Sequence, residues 1–165
     1  MEVEYTTTAP CFDMTGRLAT TNDVQTYMTA GNATITLRSN ISGKRYTYRI
    51  KAMENRDGSV AALLDRSYFV SLLAGPDNNS DFVYIGILTP QLNLRLTMKS
   101  KLGDECSPVQ AFRFLLRCMA KGCMPGNFEV WHAGKCGRCG RKLTVPESVE
   151  RGIGPDCAEY MTLGW

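Results

Sequence analysis

Hydrophobic and polar residues alternate with a period of two in the first half of the chain, as is typical of β-strands that bury one face. The alternation runs over residues 33–38 and resumes over residues 45–51, after a turn-forming segment at residues 40–44. Because side chains two residues apart share one face of a strand, the pattern predicts a hairpin with a single apolar face. Its apolar positions are Ala33, Ile35, Leu37, Tyr46, Tyr48 and Ile50.

Three more segments predict strands of the same sheet. Residues 68–73 and 82–88 are apolar at consecutive positions, which indicates central strands covered on both faces, and a polar loop connects them. A fifth strand is predicted where Leu94, Leu96 and Met98 alternate with polar residues. Together with the hairpin, these segments favour an antiparallel sheet of about five strands.

Helical periodicity appears further along the chain. Ser107 to Gln110 predicts a helix start, with serine as the N-cap, proline in the first turn and glutamine at the reciprocal capping position, and the helix extends to about Lys121. A shorter helix, capped within the segment Thr21-Asn22-Asp23, is predicted to reach about Ala30, and Gly31 ends it. The predicted fold class is therefore α+β, a mainly antiparallel sheet packed on one long helix. The stripe of that helix that packs on the sheet is Phe112, Leu115, Leu116 and Met119.

Composition shifts divide the chain into three predicted parts. Residues 1–20 are rich in threonine, glycine and proline and predict a loose N-terminal arm, and residues 21–122 hold the sheet and helix. A Gly/Pro-containing linker then leads into a small module over residues 126–165. Within that module, a capping box at residues 144–147 predicts a short helix that Gly152 ends.

The C-terminal module carries four residues with the spacing of metal ligands. Cys136 and Cys139 form a C-x-x-C-G knuckle, in which two sulfurs converge on one ion across a tight turn. Pro155 starts a short predicted helix to about Leu163, which makes Cys157 its third residue. With His132, the chain's one histidine, these cysteines predict a tetrahedral Zn²⁺ site in a small treble-clef-like or ribbon-like module. The alternative is a reduced or disulfide-forming redox pair, but a thioredoxin-like motif needs a βαβ context that this segment is too short to supply.

Catalysis has little support in the sequence. Four protein ligands describe a structural ion, because a catalytic zinc keeps one position open for water. His132 is followed by Ala133 and Gly134, so the glutamate of the zinc deaminases is missing. The chain also lacks a phosphate-cradling G-x-x-x-x-G-K-[ST] run. We therefore expect no enzyme activity. A metal-dependent nuclease remains a minor alternative, with the loop carboxylates Asp57, Asp65, Asp77 and Asp81 as candidates.

The C-terminal motif resembles a known family. Residues 131–148 and 151–158, which contain the knuckle and the Gly-Pro-Asp-Cys run, resemble a short zinc-binding, treble-clef-like domain of unknown function found in many bacteriophage proteins. Residues 30–37, 43–49 and 75–78 are similar to the N-terminal part of such proteins. The resemblance implies a phage-encoded accessory protein in the cytoplasm of the bacterial host, and it implies no particular activity.

Length and composition agree with a small cytoplasmic protein. The chain has 165 residues, of which 44% are hydrophobic, and no apolar run approaches the roughly 20 residues that a membrane span needs. Its acidic start is unlike a signal peptide. Three of the seven cysteines belong to the knuckle motif. Reduced thiols are expected at the other four, Cys11, Cys106, Cys118 and Cys123.

The distribution of charged residues is more informative about partners than the net charge of +3. The polar side of the predicted strands carries cations interleaved with threonines and no acidic residue, a surface suited to phosphate oxygens. An ordinary solvated sheet face is the alternative. Tyr46 and Tyr48 are predicted to point into the core and so are not stacking platforms. The candidate binding residues are Arg38, Arg45, Arg49, Lys51, Arg95 and Lys99 on the strands, and Arg138, Arg141 and Lys142 on the knuckle, beside Lys135.

Two classes of function are left open by these patterns. The leading hypothesis is a non-enzymatic accessory protein that binds nucleic acid or a host nucleoprotein complex through the basic face and the knuckle. The alternative is a protein-binding inhibitor of host machinery, acting in counter-defence, for example as an anti-CRISPR protein, or in transcription takeover. Salt-dependent binding of nucleic acid distinguishes the first from the second.

Overall fold

A computed structural model describes residues 16–77, 80–124, 126–143, 149 and 152–162. Most of the predicted N-terminal arm and the capping box at residues 144–147 lie outside the described residues. The strands are β1 Gly16–Arg17, β2 Asn32–Ser39, β3 Arg45–Ala52, β4 Tyr68–Leu73, β5 Phe82–Leu88, β6 Leu94–Arg95 and β7 Phe128–His132, and the helices are α1 Thr21–Met28, α2 Ser107–Lys121 and α3 Pro155–Thr162. The strands form one antiparallel sheet in the order β1-β7-β2-β3-β4-β5-β6.

The predicted hairpin is formed by β2 and β3. Ile35 pairs with Tyr48 and Ala33 with Ile50, so the apolar positions of both strands share one face, as predicted. Strand alternation therefore places this face against the helices, where Ile35, Tyr48 and Ile50 are fully buried.

Helix α2 packs its apolar stripe on that face. The four stripe residues are buried, and the Phe112 ring lies 5.0 Å from the Tyr48 ring between centroids. The Tyr48 hydroxyl donates a 2.6 Å hydrogen bond to the carbonyl of Pro108, which fixes the helix start over β3. The predicted cap is one residue out of place. Cys106 occupies the N-cap position without a side-chain bond, and Ser107 is already helical.

Two local predictions differ from the structure for reasons of hydrogen bonding. Thr20, not Thr21, caps α1, because its hydroxyl accepts from the backbone N–H of Asp23 at 3.1 Å. The fifth strand is only two residues long, since the chain turns back after Arg95 and the Thr97 N–H bonds to the Ser100 hydroxyl. Met98, predicted to be apolar core, is fully exposed in that turn.

In the described parts of the chain the sheet has seven strands, two more than predicted. The additional strands are β1 and β7, and β7 lies between β1 and β2. Phe128, Val130 and His132 alternate with polar or amphipathic residues, and this alternation within the presumed zinc module is the strand signal. Because β7 pairs along its whole length with β2, the C-terminal segment starts inside the main sheet. No helix in the described parts of the chain is long and apolar enough to cross a membrane.

Candidate metal centre and basic sheet face

Three cysteine sulfurs converge at the C-terminal end of the described chain. The Sγ atoms of Cys136, Cys139 and Cys157 all lie within 4.8 Å of one another. Sulfurs around one tetrahedral zinc ion are separated by about 3.8 Å, given Zn–S bonds of about 2.3 Å. The described cysteines are free thiols. The trio therefore matches the donor set of a thiolate-bound metal ion.

The knuckle turn presents the first two sulfurs. The N–H of Cys136 donates to the carbonyl of Arg141 at 2.8 Å, and the N–H of Gly140 donates back to the carbonyl of Cys136 at 2.9 Å. Gly140 adopts a φ of 78°, a left-handed conformation that glycine allows at little cost. These contacts close the turn so that Cys139, at its tip, is exposed while Cys136 is buried.

Helix α3 delivers the third sulfur. Proline at its first position, as predicted, makes Cys157 the third helical residue. The preceding Gly154 N–H points at the Cys136 sulfur at 3.3 Å, and the buried Ile153 anchors the turn in the core. The start of α3 thus joins the knuckle from the opposite side of the sulfur group.

The two buried thiols have opposite pKa shifts in the absence of metal charge. Burial raises the pKa of Cys136, but hydrogen bonds from backbone amides, among them those of Gly154 and Arg138, outweigh this effect and lower it. Burial raises the pKa of Cys157 to about 11, opposed by the Arg138 guanidinium at 3.6 Å from its sulfur. A bound cation would deprotonate both thiols, because its charge is the largest in the site.

His132 does not join the sulfur group in the structure. It lies in β7 on the helix side of the sheet, where its Nδ1 accepts from the Gly134 N–H at 3.0 Å and its Nε2 bonds to the carbonyl of Val149. Burial lowers its pKa, so the ring is neutral, with the proton on Nε2. His132 lies four positions before Cys136, but its place in the strand directs the imidazole to backbone groups. The described residues thus supply three clustered ligands, and His132 ties β7 to the segment that carries Val149.

Tyr27 is a site residue that the sequence analysis did not identify. A Cβ on Gly137 or Gly152 would lie 2.7 Å from the ring of Tyr27, so these glycines pack flat against it. Its hydroxyl donates to the carbonyl of Lys135 at 3.1 Å and lies 3.3 Å from the carbonyl of Thr34. Tyr27 therefore docks the knuckle on α1 and β2. The signal in the sequence was the pair of glycines, whose missing side chains leave room for a ring.

Five of the predicted cations do share one face of the sheet, as their alternation predicts. We call this the open face; it lies opposite α1 and α2, and no described element covers it. Strand pairing places Arg38 beside Arg45. It also aligns Arg49 with Ser71 and Ser71 with Tyr84, so these three residues share the open face. Lys99 lies in the turn after β6 and is exposed. The five are Arg38, Arg45, Arg49, Lys51 and Arg95, and Arg17 of β1 adds a sixth cation.

Two other features of the open face differ from the prediction. Thr36 and Thr47 are buried and bond to each other at 2.9 Å, so their hydroxyls are not available to a ligand. The face also carries one acidic side chain, Glu129 of β7, which accepts from Trp131 Nε1 at 3.0 Å and lies 3.9 Å from the Arg17 guanidinium. The surface is cationic, but it does not present the expected row of hydroxyl groups.

Aromatic side chains on the open face were also missed. The strands β4 and β5 are apolar on both faces, and the prediction took this as burial on both sides. Phe69 is nevertheless 46% exposed, because no described element covers its side of the sheet. The aromatic side chains of the face are Phe69, Phe82, Tyr84 and Trp131.

The knuckle cations form a separate group on the helix side, beside the turn between α1 and β2. The Asn32 N–H bonds to the carbonyl of Gly137 at 2.6 Å, which fixes this position. Arg138 directs its guanidinium to the Cys157 sulfur, so it belongs to the metal centre. Arg141 and Lys142 are exposed. The nine predicted binding residues thus do not form one surface.

The four carboxylates considered for a nuclease do not form one metal-binding group among the described residues. Among the described residues, the group that could hold a metal ion is the cysteine trio. Asp57 accepts from the N–H of Ser59 at 2.9 Å, and Asp81 accepts from the N–H of Asp77 at 2.7 Å. Both contacts stabilise turns, which is the ordinary role of aspartate in loops.

Comparison with known protein families gives a match to the C-terminal segment. The sequence profile of a family of unknown function (DUF6011) matches residues 130–162, which run from β7 through the knuckle to α3 and contain His132 and the three cysteines. No curated protein and no solved structure matches the chain. The C-terminal segment is therefore similar to this family, whose function is unassigned.

Proposed function

We propose that this chain is a phage-encoded, non-enzymatic accessory protein of the host cytoplasm that binds nucleic acid through the open face. In this proposal, one zinc ion at the cysteine trio stabilises the fold. The observation that carries the proposal is the segregation of the sheet. Helices and core cover one side, and six cations with one carboxylate, among the described strand residues, occupy the other.

The donor set supports zinc as the metal. Thiolates select zinc or other soft ions, whereas magnesium and calcium require oxygen ligands. Because only three of the four predicted ligands are clustered among the described residues, the number of ligands does not identify the ion as structural. A structural role is supported instead by the contacts of the knuckle with Tyr27, Asn32 and Gly152, through which the ion would hold α1, β2 and α3 together.

The arrangement of the cations supports phosphate as the ligand. Arg45, Arg49 and Lys51 lie on the same side of β3, and Arg38 is next to Arg45 on β2. Residues two apart on a strand are separated by about 6.6 Å and residues four apart by about 13 Å, so these side chains form a cationic stripe along β3 that is interrupted at the buried Thr47. Such a stripe neutralises several phosphates of one backbone and releases their counterions.

Fluorescence anisotropy of labelled DNA and RNA against the zinc-loaded protein tests the proposal. We expect binding at low salt whose affinity falls steeply as salt rises. The triple variant Arg45→Glu, Arg49→Glu, Lys51→Glu should abolish it. The matched control is Arg117→Glu, a charge reversal on the solvent side of α2, which should leave affinity unchanged.

Each other outcome has a definite meaning. Full affinity in the triple variant would reject the open face as the site. Failure of the wild-type protein to bind any nucleic acid at low salt would reject the function and favour a protein-binding inhibitor of host machinery. Cleavage of the DNA in the presence of Mg²⁺ would instead establish a nuclease.

The metal assignment is tested independently by elemental analysis. We expect about one zinc per chain in the purified protein, and loss of metal in the variant Cys136→Ser, Cys139→Ser. Unchanged zinc content and unchanged thermal melting in this variant would reject the cysteine trio as a stabilising metal centre.

A further inference from the structure

The open face is equipped for unpaired bases as well as phosphates. Resting on the nucleic-acid function proposed above, we infer that its ligand is single-stranded nucleic acid. Bases stack on the Phe69 ring and on the Arg49 guanidinium, while cations on both sides of Phe69 hold the backbone.

Phe69 is the first stacking platform. It lies on β4, which pairs with β3 on one side and β5 on the other, so its exposure does not come from a sheet edge. The ring meets Tyr84 edge to face, with 6.2 Å between centroids and 68° between planes. Tyr84 is itself held by a 3.2 Å bond from the Thr97 hydroxyl. A supported ring with 46% exposure offers an apolar surface that an unpaired base can cover.

The Arg49 guanidinium is the second platform. It is positioned over the Phe82 ring, with Cζ 3.9 Å from the ring centroid. A guanidinium supported by an aromatic ring is a flat cation on which bases stack. Arg49 pairs with Ser71, two residues along β4 from Phe69, and the Phe82 ring under its guanidinium belongs to the residue paired with Leu73, four residues along. The platforms are therefore separated by about 6.6 to 13 Å along the strand direction. Bases of one strand, adjacent or one nucleotide apart, can occupy both.

Cations flank the Phe69 platform across the sheet. Strand pairing places Lys51 opposite Phe69, Phe69 opposite Ile87, and Ile87 opposite Arg95. Neighbouring strands are about 4.8 Å apart, so the row has an apolar centre about two strands wide with a positive charge at each end. Backbone phosphates on either side of the stacked bases would find these charges.

Single strands suit this arrangement better than the other candidate partners. A duplex keeps its bases paired and stacked, so it would leave the Phe69 ring without a partner. Protein–protein interfaces are also rich in aromatic and arginine side chains, but they are depleted in lysine. On the open face, Lys51 borders the aromatic centre, and the cations on both sides of that centre favour a phosphate backbone over a protein partner.

Comparison of a single strand with its duplex tests the inference. The probes are a labelled oligonucleotide of about a dozen nucleotides and the same sequence as a duplex, with zinc-loaded protein. We expect tighter binding of the single strand. Phe69→Ala should weaken it roughly 5- to 150-fold, because a stacking platform is lost, without changing the salt dependence. Phe69→Tyr keeps a ring and should retain affinity, and Ile41→Ala, an exposed apolar truncation in the β2–β3 turn, should have no effect.

The outcomes separate this inference from the function on which it rests. Equal affinity for duplex and single strand, with no effect of Phe69→Ala but loss in the triple charge variant, would overturn stacking and leave nucleic-acid binding standing. Tighter binding of the duplex than of the single strand would also overturn the stacking inference. Absence of any binding at low salt would overturn both.

Discussion

Tyr27→Phe removes one oxygen atom at the junction between the sheet and the candidate metal centre. The ring itself stays in place against Gly137 and Gly152, so packing is conserved. The hydroxyl donor to the carbonyl of Lys135 is lost, as is the polar contact with the carbonyl of Thr34. The substitution therefore isolates the polar part of the docking contact between the knuckle and α1.

The structure sets the size of the effect. A hydrogen bond contributes about 1 kcal/mol net to stability, and a buried acceptor left unpaired adds to the loss. With distances of 3.1 and 3.3 Å, both contacts are long, so we expect the free energy of unfolding to fall by about 1–2 kcal/mol. For a chain of this size, that loss lowers the melting temperature by roughly 2–8 °C.

Zinc affinity should fall together with the free energy of unfolding in Tyr27→Phe. We expect the ion to hold the knuckle against Tyr27, so that metal binding and docking form one equilibrium. Zinc affinity is then weakened by up to about the same free energy, which corresponds to roughly 5- to 30-fold. Thermal melting and competition with a chromogenic chelator measure the two quantities.

Tyr48→Phe is the matched control. It removes a 2.6 Å bond to the carbonyl of Pro108 elsewhere in the core, so we expect a similar loss of stability with unchanged zinc affinity. The reasoning would be refuted if Tyr27→Phe destabilised the zinc-loaded and zinc-free proteins equally and left zinc affinity at its wild-type value. The knuckle would then be docked independently of the metal.

Three further outcomes are expected. Cys139→Ser removes an exposed ligand with little packing cost, so zinc content should fall while the exposed Cys123→Ser, as control, keeps it; equal metal content by elemental analysis would contradict this. A Cβ at Gly16 would overlap the His132 ring, so Gly16→Ala should lower unfolding stability by about 1–3 kcal/mol, and an unchanged urea midpoint would contradict the contact. Burial raises the pKa of Tyr48, so the stability that its neutral hydroxyl contributes is complete below about pH 10 and is lost as pH rises further. Constant unfolding stability from pH 9 to 11.5 would contradict this prediction.

The hairpin and the long helix could be predicted because their periodicity reports burial directly. Ala33, Ile35 and Leu37 face the core because strand alternation allows one face to be apolar, and the α2 stripe follows the same logic at helical spacing. Strand β7 was harder to predict, because its five residues precede the knuckle and were taken as part of a separate module. Its pairing with β2 connects residues nearly a hundred positions apart, and nothing local in the sequence encodes that contact.

The aromatic side of the open face could not be predicted for a related reason. Consecutive apolar residues in β4 and β5 indicate that both faces of these strands are apolar, but the pattern does not say whether a second layer covers both. In the described structure the helices cover only one. Phe69 is therefore exposed where the pattern predicted a buried core residue. The sequence pattern correctly identified the apolar residues of β4, but it did not indicate which face of the sheet the helices cover.

His132 gives the last and sharpest prediction, because spacing and geometry disagree about it. Its position four residues before Cys136 predicts a ligand, whereas the structure uses both ring nitrogens for backbone groups. His132→Ala should therefore cost about 2–4 kcal/mol, by leaving the Gly134 N–H and the Val149 carbonyl unpaired, while the cysteines still bind one ion. Cobalt substitution reads the ligand set directly, and we expect wild-type and variant to share one visible spectrum. A changed spectrum would make His132 the fourth ligand, and β7 would then be part of the metal centre itself.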